Sequence, residues 1–408
     1  MRVEGRRVAI SGLGAISALG REVAEGWRAA VGGRSGIGPI ESLALDDLKF
    51  RNGAEVRGFD PGEHFDPRRL GLLDRFAQLL LVAAREAIAD AGLAGDERLA
   101  ERTAVVTGSS LGGQTTQDQL FCELYGGGRK RIHPLTIPRI MANAGAGHLS
   151  MELGVTGPVF TLSTACSSSA HAVGLAFWLV RQGVVDLAVA GGSEAPFSWG
   201  NLKAWEGLRS VSPDTCRPFS KDRQGMILGE GGAALVLEPL EAALERGAPV
   251  HAEIVGCGMS SDAHHITQPL AEGAARALRG ALADGGLEGE EVGYVNAHGT
   301  GTLANDPTET RAIRRVFGAH ADRLAVSSTK SLHGHTLGAA GALEAVLTVL
   351  ALEDGVLPPT ANFTVPDPEC DLDVVPNRSR RQEVDAALSS SFAFGGLNVV
   401  LAFRRWRG

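Results

Sequence analysis

At 408 residues the chain is longer than the roughly 250 to 300 residues at which single hydrophobic cores stop growing, so two domains or two fused halves are expected. Its formal net charge of -8 gives no overall attraction to phosphate backbones or anionic lipid, which argues against nucleic acid and membrane surfaces as partners. The chain has no apolar run of about 18 residues, so no membrane span is predicted. We therefore expect a cytoplasmic protein.

The 54 glycines are nearly twice the usual share of about 7%, which indicates many tight turns and close backbone approaches. The five cysteines are widely spaced, odd in number and without a CxxC pair. This pattern argues against both a disulfide framework and a structural zinc site, and no metal site is predicted.

In chain order, short apolar runs alternate with helix-like stretches. Before residue 250 the apolar runs are 8–13, 103–110, 159–164 and 184–194, and the helices are 74–92 and a segment from Ser167. After residue 250 the apolar runs are 252–263, 292–298 and 324–330, and the helices are 274–287 and a segment from about Thr336. Such alternation is typical of a layered α/β fold. We assign the two α/β halves to residues 1–250 and 251–408.

The two halves open in a similar way, with VAISGLGAIS at 8–17 and AEIVGCGMSS at 252–261. This similarity indicates an internal duplication, unless chance produced it in a glycine-rich chain. The first stretch also resembles the opening of a dinucleotide fingerprint. Because Ser17 stands where the third glycine belongs, no nucleotide site is expected.

The series Asp306-Pro307-Thr308-Glu309 is typical of a helix start. We interpret Asp306 as the N-cap, Pro307 as the first helical residue and Glu309 as the acid of a capping box.

Cys166, in TLSTACSSSAHAVG, lies where an apolar run ends and a small-residue helix begins. A thiol there is either inert filler in a tight core or a nucleophile at a helix start, where unpaired N–H groups favour the thiolate. Judged alone, inert filler is the commoner case.

Further residues that could take part in chemistry lie in three later stretches. NAHGTGT places His298 just beyond a predicted strand, among small hydroxyl-bearing residues. SSTKSLHGHTLGAAG brings Lys330, His333 and His335 together, for which a metal site or a solvated loop is the alternative. In SSFAFGGLNVV, two glycines after Phe394 indicate either an ordinary turn or a loop whose N–H groups approach a ligand.

Cysteine in TACSSS, histidine in NAHGTGT, and lysine with histidine in TKSLHGH together resemble the ketosynthase branch of the thiolase superfamily, in order and in rough spacing. The resemblance extends over almost the whole chain and implies the thiolase fold, five layers αβαβα built from two similar halves. The chain is most similar to β-ketoacyl-acyl carrier protein synthase II. Within that type, PFSWGNLKAWEGLRSVSPDTCRPFS resembles the nodulation-type synthases and the ketosynthases of type II polyketide (polyene) systems.

The resemblance implies a role for each matching residue. Cys166 would take the acyl chain as a thioester. His298 and His335 would bind the malonyl thioester carbonyl and stabilise the enolate formed on decarboxylation, and Lys330 would tune their electrostatics. The backbone N–H groups of Cys166 and Phe394 would form the oxyanion hole, and Phe394 would also be the gating aromatic.

Other matches concern the substrate arm and the acyl pocket. Thr300 and Thr302 match residues that hydrogen-bond phosphopantetheine, and Leu111 matches a position at the bottom of the acyl pocket. Leu397 departs from the family by standing where a threonine usually follows the paired glycines. His333 replaces a more common threonine and is interpreted as a neighbour of the site.

Basic residues form two clusters in this acidic protein, and the resemblance implies that they dock an acidic carrier protein. A solvated surface is the alternative interpretation. The clusters are Arg68 with Arg69, and Arg129 with Lys130 and Arg131.

The implied activity is a decarboxylative Claisen condensation of a cysteine-bound acyl chain with malonyl-acyl carrier protein, in type II polyketide or fatty-acid biosynthesis. The product would be a β-ketoacyl chain two carbons longer, and no cofactor would be needed beyond the phosphopantetheine of the carrier. The partners would be acyl carrier protein and a second subunit, in a homodimer or in a heterodimer with a chain-length factor. A ketosynthase active only with that factor, and a non-condensing structural subunit, are the alternatives. A thiolase is disfavoured because SFAFGGLN has no second cysteine, and a chain-initiating synthase because His335 is present.

Overall fold

The computed structural model describes residues 5–128 and 130–408, and this part of the chain contains fourteen β-strands and thirteen α-helices. The strands are β1 Val8–Ser17, β2 Gly38–Pro39, β3 Asn52–Gly53, β4 Thr103–Gly108, β5 Val159–Leu162, β6 Leu187–Glu194, β7 Gly231–Pro239, β8 Ala252–Ser261, β9 Val292–Asn296, β10 Ala325–Ser327, β11 Val356–Leu357, β12 Arg380–Arg381, β13 Ala386–Ala393 and β14 Leu397–Arg405. The helices are α1 Val23–Val31, α2 Pro67–Leu70, α3 Arg75–Asp90, α4 Gln114–Tyr125, α5 Thr136–Ile140, α6 Ala144–Leu153, α7 Ser168–Arg181, α8 Trp199–Leu208, α9 Leu240–Glu245, α10 Ala271–Gly285, α11 Asn305–Phe317, α12 Lys330–His333 and α13 Ala340–Asp354.

The same strand order occurs twice in the sheet. The order is β10-β9-β13-β14-β8 in the second half of the chain, continued by β1-β7-β6-β4-β5 from the first half. Each half contributes five strands to this sheet, and these can be numbered in the order in which they occur along the chain. Counted from the outer edge of the sheet toward its middle, both halves show the order 3-2-4-5-1. The two halves are joined by a short antiparallel pairing of β8 with β1. The predicted construction from two similar halves is therefore confirmed at the level of topology.

The helices fill three layers around the two half-sheets. Helices α7 and α13 lie between them and contact strands of both halves. Helix α13 is buried on nearly every face, as expected of an apolar helix in the middle of a molecule. Outside, α3 and α6 cover the first half-sheet, whereas α10 with α11 covers the second. This arrangement confirms the predicted five-layered α/β fold.

Gly12 and Gly14 allow the close approach of β1 to the outer helix α3. A Cβ atom on Gly12 would lie 2.1 Å from the carbonyl oxygen of Ala87, and one on Gly14 would lie 1.9 Å from that of Ala83. Because backbone atoms cannot yield to such contacts, this pair of glycines serves helix–sheet packing. The observation agrees with the expectation that GLGAIS is not a nucleotide loop.

The proposed start of the helix at 306 is wrong. Helix α11 begins at Asn305 after an N-cap at Ala304, so Asp306 lies inside its first turn and is fully buried. Its carboxylate accepts hydrogen bonds from the N–H groups of Phe219 and Gly301. Those contacts with neighbouring loops replace the local cap that the sequence pattern indicated.

The boundary between residues 250 and 251 stays a prediction. The second copy of the strand order begins at Ala252, yet one hydrophobic cluster contains residues of both halves, among them Val8 and Phe403. Within the described residues, no helix is long and apolar enough to cross a membrane.

Candidate active site

A cavity of about 240 Å³ brings together six of the predicted site residues. It is lined by Cys166 from the first half of the chain and by residues of the second half, including His298, Thr300, Thr302, His335 and Phe394. Cys166 follows β5, whereas the residues of the second half follow β9, β10 and β13. Segments far apart in sequence thus form one site.

Cys166 lies at a strained turn between β5 and α7. The strand ends at Leu162 and the helix begins at Ser168, while Ala165 has a φ of 51°. A left-handed backbone at a residue with a Cβ is costly and persists where surrounding contacts hold it. The hydroxyls of Ser110 and Ser168 supply such contacts by donating to the Ala165 carbonyl, at 2.9 and 2.6 Å. The turn therefore holds the thiol at one point of the cavity wall, where it is 7% exposed.

Backbone N–H groups of Cys166 and Phe394 point at the Cys166 sulfur. Burial raises the pKa of this thiol to about 12, while the Lys330 ammonium and the two N–H groups act in the opposite direction. The resting side chain is therefore a thiol, although we expected the helix start to favour the thiolate. These two N–H groups are the ones assigned to the oxyanion hole, which stays a prediction.

The rings of His298 and His335 are in edge-to-face contact on the cavity wall. Their ring centroids are 5.4 Å apart with the rings at 83°. Burial, reinforced by the Lys330 charge, holds the pKa of both imidazoles well below its usual range, so both are neutral at pH 7. The Nδ1 atom of His335 accepts the Leu337 N–H at 3.2 Å, which leaves the proton on Nε2. His335 is thus prepared to donate a hydrogen bond from Nε2.

Two buried carboxylates that the sequence analysis did not assign to the site hold the loop that carries His298. Glu309 accepts the N–H groups of His298 and Gly299, both at 2.8 Å, and Asp306 accepts that of Gly301. Burial raises the pKa of Glu309 to about 7 and that of Asp306 to about 6. The only signal in the sequence was the pair of acids near the start of a helix just after NAHGTGT, which we interpreted as capping.

Lys330 is fully buried and does not line the cavity. Its ammonium pairs with the carboxylate of Glu344, which is equally buried. Burial raises the pKa of Glu344 to about 7 in spite of that cation. Lys330 therefore acts on the site through its charge, which lowers the pKa of both histidines and of Cys166.

His333 is also buried outside the cavity, with Nε2 3.0 Å from the Thr329 hydroxyl. Burial lowers its pKa to about 3. Its position fits the interpretation of His333 as a neighbour of the site.

The hydroxyls of Thr300 and Thr302 lie 2.9 Å apart on the cavity wall. Two adjacent hydroxyls can donate to and accept from an amide of a bound chain. Gly301 between them has a φ of 74°, which turns both side chains toward the same space.

Residues 392–398, which we name the gating segment, cross the cavity beside Cys166. Gly395 and Gly396 have φ values of 82° and 69°, and a Cβ on Gly396 would lie 2.4 Å from that of Asp262. The segment therefore needs its paired glycines. Leu397 packs beside the hydrophobic cluster around Cys166, and its carbonyl accepts the Ser167 hydroxyl at 3.1 Å.

The structure does not place Leu111 on this cavity. Its side chain is 37% exposed, next to Ser110, whose hydroxyl supports the turn before Cys166. The N–H groups of Ser110 and Leu111 both donate to the buried carboxylate of Glu194. The predicted role of Leu111 in an acyl pocket stays a prediction.

The basic residues of the two predicted docking clusters differ in their exposure to solvent. Arg68, Lys130 and Arg131 are exposed, whereas Arg69 is partly buried and pairs with Glu152. Arg129 lies outside the described residues. Docking by either cluster stays a prediction.

A buried cysteine faced by two neutral histidines, on a duplicated five-layered fold, defines the class of thiolase-fold condensing enzymes. A family model described as "Beta-ketoacyl synthase, N-terminal domain" matches residues 5–243, and one described as "Beta-ketoacyl synthase, C-terminal domain" matches residues 251–364. The chain belongs to the β-ketoacyl synthase family and is an acyltransferase of the ketosynthase type.

Individual relatives place the chain within the family. It is 48% identical over 400 residues to "Nodulation protein E" from Rhizobium sp., covering 98% of this chain and 99% of that protein. It is 44% identical over 413 residues to "3-oxoacyl-acyl-carrier-protein synthase 2" from Synechocystis sp., covering 99% of each. The solved structure "The ishigamide ketosynthase/chain length factor" matches with a TM-score of 0.94 at 40% identity, covering 99% of this chain and 100% of that one. These similarities confirm the predicted relationship to synthase II, nodulation-type and type II polyketide ketosynthases.

Proposed function

We propose that this ketosynthase condenses an acyl chain held on Cys166 with a malonyl group carried by acyl carrier protein. The observation that carries the assignment of roles is the shared cavity of Cys166, His298 and His335, with the N–H groups of Cys166 and Phe394 directed at the sulfur.

In the first step the Cys166 sulfur attacks the thioester carbonyl of the incoming acyl carrier. The S–C bond to the carrier breaks, and the carrier thiol leaves with the proton that the cysteine gives up. Negative charge develops on the carbonyl oxygen, and the two converging N–H groups stabilise it there. Because the resting Cys166 thiol is buried and protonated, its proton must leave as the Cys166 sulfur forms its bond to the acyl carbon.

In the second step the malonyl thioester oxygen lies against His298 and His335. Loss of CO₂ leaves its electron pair as an enolate, whose oxygen accepts hydrogen bonds from the neutral imidazoles. These donors act most strongly as charge appears, which is how binding energy becomes rate. The enolate carbon attacks the acyl-cysteine carbonyl, and the bond from that carbon to the Cys166 sulfur breaks. The sulfur takes up one proton from solvent, which restores the resting thiol, and the product is a β-ketoacyl carrier two carbons longer.

The paired hydroxyls of Thr300 and Thr302 support a role in binding the phosphopantetheine arm, since they lie on the same cavity wall as the histidines. The reaction needs no cofactor beyond that arm. Exposed Arg68, Lys130 and Arg131 are the described residues that would steer an acidic carrier protein.

A second subunit is part of the proposal. Large apolar side chains are exposed at Leu111, Leu135, Ile137 and Met141, along and beside α5. Exposed apolar surface of this kind favours a protein partner. The similarity to a ketosynthase/chain length factor structure supports a heterodimer as the alternative to a homodimer.

The test is to incubate the purified protein alone with a medium-chain acyl carrier protein and malonyl carrier protein, and to follow the intact carrier mass. We expect a ketide gain of two carbons that is lost in Cys166→Ala. If Cys166 is acylated but no extended product forms, a partner subunit or another acyl chain is required. If Cys166 is never acylated by any carrier, the proposal is overturned.

A further inference from the structure

Helix α8 presents one row of apolar side chains toward the active site. Leu202, Trp205 and Leu208 recur at intervals of three residues, so they lie along one side of the helix. Leu202 is fully buried in the hydrophobic cluster that contains Cys166, and Leu208 lines the mouth of the cavity. Trp205 lies between them and packs beside the same cluster.

The indole of Trp205 stacks on Phe394 in the gating segment. The ring centroids are 6.3 Å apart and the planes differ by 26°, within the range of favourable offset pairs. Phe394 is the residue whose N–H points at the Cys166 sulfur. The stack therefore positions the residue whose backbone N–H is one of the two donors of the proposed oxyanion hole.

Backbone contacts hold the gating segment on either side of Phe394. The Gly395 N–H donates to the Ile266 carbonyl at 2.7 Å, and the Gly396 carbonyl accepts the Asp262 N–H at 2.9 Å. The Ser167 hydroxyl holds the Leu397 carbonyl. These hydrogen bonds hold the backbone of the two glycines and of Leu397. The ring of Phe394 is only half-buried, and Trp205 holds it by stacking.

We propose that Trp205 is a positioning residue, a latch that stacks on Phe394 and keeps the gating segment closed over Cys166. This inference rests on the proposed function only in assigning Phe394 to the gate. Entry of the acyl chain would require the stack to break, and charge stabilisation during acyl transfer would require it to re-form, because the Phe394 N–H must then face the sulfur. Trp205 would thereby control the balance between admission of the acyl chain and its transfer to Cys166.

The latch is tested without any carrier protein, by following alkylation of Cys166 with iodoacetamide through peptide mass spectrometry. Trp205→Leu keeps an apolar side chain but removes the ring, and we expect Cys166 to react about 2- to 12-fold faster, the factor that such aromatic pairs contribute. Trp205→Phe retains a ring and should react at nearly the wild-type rate. Trp199→Leu is the matched control, since Trp199 lies on the same helix, is 45% exposed and contacts Lys203 instead of Phe394.

Equal Cys166 rates in wild type and Trp205→Leu would overturn the latch. Equal acceleration at buried Cys257 would also overturn it, since this would show general loosening of the fold. In the condensation assay, Trp205→Leu should lower kcat while the KM for acyl carrier falls or stays unchanged. A protein whose Cys166 alkylation follows the latch pattern but whose Cys166 is never acylated by any carrier would contradict the proposed function and leave the latch supported.

Discussion

The thiol of Cys166 and the imidazoles of His298 and His335 are all held in their neutral forms by burial. For the histidines this state suits the proposed role, because a neutral imidazole still carries one N–H that can donate to an enolate oxygen. For Cys166 it means that the resting side chain is a thiol, and that the nucleophilic thiolate forms only as the attack takes place. Single-residue changes should therefore separate the two half-reactions.

His298→Ala and His335→Ala should each slow condensation by about 100- to 1,000-fold, the usual loss when one donor to a developing oxyanion is removed. Acylation of Cys166 should be largely retained, because the N–H groups that serve that step remain. Intact-protein mass gives acylation, and carrier mass gives condensation. Equal losses in both steps would contradict the assignment of the histidines to decarboxylation.

Leu111→Trp should shorten the acyl chains that the enzyme accepts, if this position lies at the bottom of the acyl pocket in the assembled enzyme. The added bulk would fill space that the end of a long chain needs. The measurement is the distribution of product lengths when a mixture of acyl carriers is offered, with Leu244→Trp as an exposed control. An unchanged distribution would remove Leu111 from the pocket.

Among the elements, helix α11 supports the catalytic loop with two carboxylates near its start. Asp306 and Glu309 accept the N–H groups of residues 298, 299 and 301, so the helix start holds the loop in place. A carboxylate can accept both N–H groups that Glu309 binds, whereas an amide presents only one acceptor oxygen. Both acids are buried without a direct ion pair among the described residues, which is the origin of their raised pKa values.

Glu309→Gln should reduce condensation at least about tenfold, because one backbone N–H of the loop loses its acceptor. It should also alter the pH dependence of stability. The native carboxyl keeps its proton up to about pH 7, whereas the unfolded one ionises near 4.5, so wild type loses stability as pH rises through this window. Urea unfolding of wild type and variant at pH 4.5, 6 and 7.5 should show a smaller decline in the variant, in which Asp306 and Glu344 still titrate over this window.

Glu290→Gln, at an exposed acid, is the matched control and should unfold like wild type at each pH. A difference between wild type and Glu309→Gln that does not vary with pH would contradict the assignment of the titration to Glu309.

At the scale of the whole molecule, the two halves form a single site and are also held together away from it. His251 lies just before β8, and its ring nitrogens contact Asp90 at the end of α3 at 2.8 Å and Glu353 in α13 at 3.0 Å. The backbone N–H of His251 donates to the Ile10 carbonyl in β1. One side chain thus links an outer helix of the first half to the central helix of the second.

His251→Gln should lower the free energy of unfolding at neutral pH by about 1 to 3 kcal/mol. This range is smaller than the pKa shift alone would give, because the partner carboxylates are partly exposed and solvent screens the ion pairs. The two carboxylates raise the pKa of His251 to about 9 against the burial that lowers it. The ion pairs therefore contribute fully below pH 6.5 and are lost as pH rises through 9. Urea unfolding at pH 6.5 and 9.5 should show the difference from wild type shrinking, and a constant difference would contradict the titration.

Surface charge also acts at the scale of the whole molecule, since a net charge of -8 repels an acidic carrier unless local basic residues offset it. Lys130→Glu with Arg131→Glu should raise the KM for carrier-bound substrate several-fold at low salt, with kcat unchanged, because rim charges act mainly on association. Arg378→Glu, at another exposed position, is the control. An equal KM in the double variant and the control would exclude docking at 130–131.

The α/β alternation, the order of the catalytic motifs and their family could be predicted from the amino-acid sequence, because strand and helix patterns and short motifs are local properties of the chain. The folded chain was needed to show that Cys166, His298 and His335 line one cavity, that Glu309 supports the loop instead of capping its own helix, and that Trp205 stacks on Phe394. The strand order that shows the duplication likewise appears only in the sheet. These features depend on which segments pack together and on how much water their packing removes, and no local pattern of residues contains that information.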